Sequence, residues 1–454
     1  LLRTYLATAF LARFADEGVG VALALLAVER TGRPALGGFV LAAWLAPHAL
    51  AAPVVGALAE RTRTPRLLHG CALALLGTAL ALLALTTGRT PLPLTLAVAL
   101  AGGSVGPLVT GGLSSLLAET RAPSGAGEGG DGSPGRTASG RCADGDRPGG
   151  AAASAQGRGR RLRDRGFAYD AATYNAAAVT APAAVAGTAA VSSVALATVL
   201  LAVSAGCAAL LCTTLRLPAA GHRPPPAGRF RPRELGTGFR VLRRTPQLAA
   251  LTLATCVAFL GAGALPVTAV LLARARGASD GGGLLMTAFA VGGLAGSLVA
   301  ARWSGTSGRV RSARLGLLVT AAGLAGAALT PSLLWTAALF LCAGLGEGPL
   351  LSATLRLRAD HAPEGTRAQV FTLGAGLKLT AGAAGTALVG ALAALPPHSL
   401  LLLIAALQLA AAALLRGLRR RRPASPAQEP EAGTRHQPGL RGLPRGPRSS
   451  GGSW

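Results

Sequence analysis

The sequence predicts an all-α membrane protein of twelve transmembrane helices, built as two pseudo-symmetric six-helix bundles. Three observations lead there. Charged residues make up 14% of the chain and apolar residues 51%, with a mean hydropathy of +0.47, whereas a soluble domain usually carries about 25% charged residues. Apolar runs long enough to cross a bilayer, about 20 residues as a helix, recur along the chain between Gly, Pro and Arg clusters. Motifs in the first six runs return in the same order in the last six.

The runs place helices at roughly 4–28, 35–59, 67–87, 93–118, 168–190, 191–215, 248–273, 281–301, 312–330, 332–355, 367–392 and 398–416. Arg13, Asp16 and Glu17 interrupt the first run, which therefore reads as a span rather than a cleavable signal peptide. The second holds His48 between Pro47 and Pro53, and only Ser192-Ser193 separates the fifth from the sixth. Three segments are expected outside the membrane. Residues 121–166, rich in Gly, Arg, Ser and Asp, read as a disordered insertion within the N-terminal half, 1–217. Residues 218–247 read as a cytoplasmic Pro/Arg linker in which Leu235, Phe239 and Leu242 fall on one face of a short surface helix. The C-terminal half, 248–418, is followed by a basic, disordered tail at 419–454.

Arginine placement gives the orientation, because short cytoplasmic loops are enriched in positive charge. Loops 60–66, 302–314 and 356–367 hold ten arginines; the opposite loops hold five, namely Arg30, Arg33, Arg89, Arg274 and Arg276. Both termini are therefore expected in the cytoplasm, with the chain a multi-pass protein of the plasma membrane. Arginine abundance itself says little about partners. Lys378 is the sole lysine, Asn175 the sole asparagine and Ile404 the sole isoleucine, a bias typical of a GC-rich coding sequence. The exceptions gain meaning, since Lys378 and Asn175 both fall inside expected spans.

The internal repeat decides the architecture. Gly106-Pro107-Leu108 of the fourth span returns as Gly348-Pro349-Leu350 of the tenth. Arg165-Gly166-Phe167-Ala168-Tyr169 at the start of the fifth returns as Arg367-Ala368-Gln369-Val370-Phe371 at the start of the eleventh. Gly56-Ala57-Leu58 before Arg61 matches Gly296-Ser297-Leu298 before Arg302, and Leu6-Ala7-Thr8 matches Leu253-Ala254-Thr255. Without the insertion, the N-terminal half has the same length as 248–418. Parallel six-helix duplication is an established plan of secondary transporters, with the substrate site between the repeats.

The loop Gly56-Ala57-Leu58-Ala59-Glu60-Arg61, followed by Arg63 and Arg66, resembles the signature between the second and third spans of the major facilitator superfamily, with Glu60 in place of its aspartate. The resemblance covers residues 1–418 apart from the insertion. It implies that Gly56, Glu60, Arg61 and Arg66 form a cytoplasmic latch between the halves, and that spans 1, 4, 7 and 10 line a central cavity flanked by 2, 5, 8 and 11. Residues 93–118 contain no arginine, and Ala181-Pro182 with Gly187 stands where drug antiporters of the superfamily carry a longer Gly/Pro element.

Ionisable groups in hydrocarbon are costly, about 2.5–3.5 kcal/mol each on insertion scales, so they face a cavity or a partner. Arg13 can pair along its helix with Asp16 or Glu17, three and four residues away, leaving a spare carboxylate to exchange a proton; a self-neutralised triad is the other reading. Glu347 sits in Gly344-Leu345-Gly346-Glu347-Gly348-Pro349, where glycines and proline weaken the helix. Glu347 and Lys378 serve either a transport cycle or a structural ion pair between adjacent helices. His48, Tyr174 and Asn175 are candidate substrate contacts. With aromatics at 4%, the cavity is expected to be lined by small residues, which argues against flat aromatic cargo.

The expected function is alternating-access secondary transport of a small molecule, an exporter driven by proton antiport. The rival is a transporter-like sensor or scaffold acting through the basic cytoplasmic segments. No nucleotide-binding loop, metal-ligand spacing or nucleophile motif points to an enzyme, a cofactor or a metal. Arginines that track topology without interleaved aromatics argue against nucleic acid. The lipid bilayer and a small-molecule substrate are the expected partners of a monomer.

Overall fold

The computed structural model describes residues 2–119, 148–215, 232–278, 281–302, 308–392 and 394–420. The first bundle comprises α1 (Leu2–Thr31), α2 (Pro34–Leu45) with α3 (Pro47–Arg61), α4 (Pro65–Thr86), α5 (Leu92–Gly103) with a π-turn at Leu108–Gly112 and α6 (Leu113–Glu119), α7 (Pro148–Val191) and α8 (Val194–Thr214). Two short helices follow, α9 (Pro232–Leu235) and α10 (Thr237–Arg244). The second bundle comprises α11 (Pro246–Ala275), α12 (Gly281–Arg302), α13 (Arg309–Leu329), α14 (Leu333–Leu345) with α15 (Glu347–His361), α16 (Arg367–Ala391) and α17 (Pro397–Arg420). Among the described residues, nine helical stretches are long and apolar enough to cross a membrane by length and composition. The other three spans are α1, α7 and α16, and each carries charge within its length.

The duplication is visible in the packing. In the first bundle α1 packs on α7 and α8, α4 on α8, and α2 on α5. In the second α11 packs on α16 and α17, α13 on α17, and α12 on α14. The fourth and tenth spans also break at matching places. The break between α5 and the π-turn falls at 104–105, and the break between α14 and α15 falls at Gly346, the repeat mate of Ser104. Proline two or three residues further on, Pro107 and Pro349, withholds a backbone donor in both copies.

Between the bundles, α3 packs on α16 and α7 on α12, while α15 meets α7 and the π-turn meets α16. The partner segments α2 and α14 pack within their own bundles, on α1 and α5 and on α12 and α13 respectively. The bundles therefore meet at the end that carries the 60–66 loop. The first bundle's core crosses the seam there, taking in Leu355, Ala359 and Phe371.

Two boundaries differ from expectation. The fifth span begins at Pro148, so 148–166 continues α7 through part of the stretch read as disordered insertion. Ala151, Ala152, Ala153 and Ala155 have high helix propensity, and extending an existing helix costs far less than nucleating a new one. The last span runs to Arg420 rather than 416. The stretch read as a linker forms two short helices, α9 and α10, among its described residues. Its Leu242 is buried with Leu248, Ala362, Val370 and Leu373, whereas Phe239 is half exposed. The remainder of the insertion, the linker before residue 232 and the tail after 420 lie outside the described residues.

Candidate functional site

Span 1 faces spans 4 and 5, and this sets the first charge cluster. Arg13 does not pair with Asp16 or Glu17. It reaches Asp170 on α7 at 2.9 Å, with both side chains almost fully buried. Spacing along one helix brings groups near each other, but here the partner sits 157 residues away in sequence. Asp170 Oδ1 also accepts from the Tyr5 hydroxyl at 2.7 Å, and Oδ2 accepts from Ser114 Oγ at 2.7 Å. Arg13 donates further to the Asp170 carbonyl at 2.8 Å, to Ser114 Oγ at 3.1 Å and to Thr173 Oγ1. The guanidinium lies 3.5 Å from the centroid of the Tyr174 ring, and the Tyr174 hydroxyl donates to the Thr110 carbonyl at 2.7 Å. Charge on this cluster is matched and its carboxylate is fully hydrogen-bonded, the arrangement a buried ion pair needs. Asp170, Tyr5 and Ser114 were not singled out from sequence. An acid three residues beyond Phe167, inside an apolar stretch, was the available signal.

The second cluster lies at the seam. A pocket is lined by Glu347, Leu350, Leu351, Thr354, Leu355 and Arg358 of span 10, Lys378 and Ala375 of span 11, Thr255 and Phe259 of span 7, and Gly111 and Tyr174 of the first bundle. Glu347 opens α15 immediately after the break at Gly346. Lys378 Nζ stands 4.2 Å from the centroid of Phe259 and 5.6 Å from that of Tyr174. Glu347 and Lys378 share the pocket without closing to ion-pair distance. Arg358 is buried, rests against Gly374 of α16, and has no hydrogen-bond partner for Nε or Nη2. Tyr174 thus has two cations within reach of its ring, Arg13 and Lys378.

The other candidates take distinct places. Asp16 is half-buried and Glu17 exposed. His48 is buried at the start of α3 beside Gly106. Asn175 Nδ2 donates at 2.9 Å to Ser297 Oγ of α12, a hydrogen bond between bundles.

The loop residues sit where the bundles touch. Gly56 packs on Gln369 and Thr372 of α16, and a side chain there would collide with both. Thr372 Oγ1 donates to the Ala52 carbonyl at 3.0 Å. Glu60 Oε1 accepts the backbone N–H of Ala368 at 2.5 Å, so a carboxylate caps the N-terminus of α16, where the helix dipole favours negative charge. Arg61 pairs with Glu234 of α9 at 2.5 Å. Arg66 is exposed, and its carbonyl accepts from the Cys212 thiol at 3.6 Å. On the opposite side of the seam, Arg309 of α13 joins Asp164 of α7 at 3.1 Å and also pairs with Asp360 of α15.

This geometry can be set beside known proteins. The family model of the Major Facilitator Superfamily matches residues 251–449. No curated protein matches the sequence. Among solved structures, the chain is similar to the human organic anion transporter MFSD10 (TETRAN), at 16% identity and TM-score 0.69, covering 91% of this chain and 99% of that one. It is similar also to a bacterial homologue of the iron transporter ferroportin in an outward-facing state, at 16% identity and TM-score 0.66, covering 92% and 99%. At these identities what is shared is the fold: twelve spans in two six-helix bundles.

Proposed function

We propose that this chain is a major facilitator superfamily transporter that moves a small molecule across the plasma membrane by alternating access, with both termini cytoplasmic. The observation that carries the reading is the seam. Two repeat-related bundles touch at one end, and just inside that contact lies a pocket bearing Glu347, Lys378 and Arg358. Charged groups held in a membrane interior without mutual neutralisation mark a substrate or ion path by default. A scaffold would gain nothing from keeping them there. The family match over the C-terminal half and the shared transporter fold support the same reading.

With the 60–66 loop in the cytoplasm, the conformation described is closed on the cytoplasmic side. Gly56, Glu60 and Arg61 act as its latch, and Arg309 with Asp164 and Asp360 clasps the opposite side of the seam. Arg66 stands at the margin of that latch. Transport is export driven by proton antiport. Glu347 carries the proton, because it is an acid at a helix break in the pocket and no ion pair occupies it. Asp16 and Glu17 are secondary proton sites, and His48, Tyr174 and Asn175 shape the path beside the seam. The protein works as a monomer.

A proton gradient imposed on proteoliposomes tests the coupling. In Glu347→Gln, gradient-driven flux should vanish while substrate binding persists, because the amide keeps shape and hydrogen bonding without titrating. Wild-type-like, gradient-driven flux in that variant would move the role to Asp16 or Glu17. If Glu347 served only to offset Lys378, Glu347→Gln would impair folding and a second change, Lys378→Met, would restore it.

A further inference from the structure

We infer that the pocket at the seam recognises an organic monoanion with a compact apolar body, its acid group held by Arg358 and Lys378. The inference rests on the transport reading and names the substrate class of that same site. Three observations carry it. First, Arg358 is only 4% exposed and lines the pocket, yet its Nε and Nη2 have no hydrogen-bond partner among the described residues. A guanidinium is always charged at physiological pH and offers five donors in a planar fork that matches a carboxylate or a similar oxyanion. Buried donors left unmade are costly; both nitrogens lie against Gly374 of α16, so a ligand that draws the fork into the pocket recovers that cost.

Second, the two cations are close together. Arg358 rests on Gly374, and Lys378 stands one turn further along the same helix, about 6 Å at 1.5 Å per residue. Any side chain at Gly374 would occupy the guanidinium's place. Third, the lining carries two cations against the single carboxylate of Glu347. The other nearby cation, Arg13, is already matched by Asp170. Glu17 is exposed and not part of the lining, so the lining itself carries one positive charge in excess, which fits a ligand bearing one negative charge. Leu350, Leu351, Leu355 and Phe259 supply the apolar wall for its body.

The test uses the full-length protein in nanodiscs of zwitterionic phosphatidylcholine, so that no lipid headgroup competes as an anion. Three probes share one ring and differ in charge: cyclohexylacetate, cyclohexylacetamide and (cyclohexylmethyl)trimethylammonium. Cyclohexylacetate should raise the melting temperature in a saturable manner, and the amide and the cation should not. In Arg358→Gln the affinity for cyclohexylacetate should fall about tenfold or more, the loss expected for a charge-assisted hydrogen bond. Without ligand that variant should melt higher than wild type, because it no longer buries an unpartnered charge. Lys378→Met should weaken the carboxylate as well, leaving the amide unaffected. Equal stabilisation by the amide or the cation, or none by the carboxylate, overturns the inference. So does a lower melting temperature in ligand-free Arg358→Gln, which would make Arg358 a structural residue. Binding of cyclohexylacetate without flux in proteoliposomes would leave the anion site standing and sink the transport reading instead.

Discussion

Arg13 and Lys378 are both buried basic residues inside spans, yet they are treated in opposite ways. Arg13 is surrounded: Asp170 and Thr173 take its Nη1, Ser114 takes its Nη2 and Tyr174 takes its face, leaving only Nε without a hydrogen-bond partner among the described residues. Lys378 rests on aromatic rings and shares its pocket with an acid that it does not touch. Removing one partner of a buried ion pair costs about 3–5 kcal/mol, whereas replacing both with apolar groups is often neutral. Asp170→Asn should therefore abolish most folded protein in fluorescence-detected size-exclusion, and Arg13→Met with Asp170→Leu should recover it. Recovery failing in the double variant would give Arg13 a role beyond pairing. The sequence marked Arg13, Glu347 and Lys378, because charge in an apolar run is visible there and codon bias made the single lysine conspicuous. It did not mark Asp170 or Arg358. Both lie near the polar ends of their spans, where a linear reading takes charge to be solvated. Only tertiary packing shows that both are buried, Asp170 inside the first bundle and Arg358 at the seam.

At the level of elements, the broken spans matter most. The fourth span loosens into a π-turn at 108–112, and Gly111 in that turn lies against the backbone of Phe371 and Thr372 on α16. A side chain at Gly111 would strike the Phe371 carbonyl, so this contact exists only in glycine's presence. Gly111→Val should push the bundles apart at the closed end. Spin labels at Arg63 and Pro363, both exposed on loops at that end, should report a distance distribution shifted to longer values. An unchanged distribution would mean that the π-turn yields instead of the seam. The Gly-Pro motifs at 106–107 and 348–349 made the weakness of both spans legible in the sequence. The π geometry of one copy was not, because it depends on what packs against the turn. Helix α7 shows the reverse limit: composition indicated disorder up to 166, but the helix beginning at Pro148 feeds directly into a span that packing stabilises.

For the whole molecule, topology is the most direct check. Reporter fusions after residues 140, 235 and 420 should all read cytoplasmic, and fusions near 89 or 276 should read external. An external reading at 235 would end the two-bundle assignment, since α9 and α10 pack under α3, α11 and α16. The latch offers a second check. Glu60→Gln removes the charge that caps α16 and Arg61→Ala releases Glu234, so the double variant should shift the protein toward a state open at that end. Alkylation of a cysteine introduced at Leu355, buried at the seam, should then become faster than in the cysteine variant alone, and unchanged labelling would remove these two residues from the closure. The twelve-span plan was readable because repetition is a property of the chain. Which end is closed was not, because it is a property of one conformation.

On the proposed transport reading, the charge imbalance of the seam pocket gives the cycle an electrical character. A pocket without cargo carries one net positive charge while Glu347 is ionised and two once Glu347 holds the proton, so the unloaded stroke moves positive charge through part of the membrane field. A full crossing of that field is worth about 2.3 kcal/mol per charge at 100 mV. With a monoanion bound and Glu347 ionised, the site carries no net charge. Voltage therefore acts on the unloaded stroke, and an interior-negative potential draws the cationic pocket toward the cytoplasm, the side from which the proposed export starts.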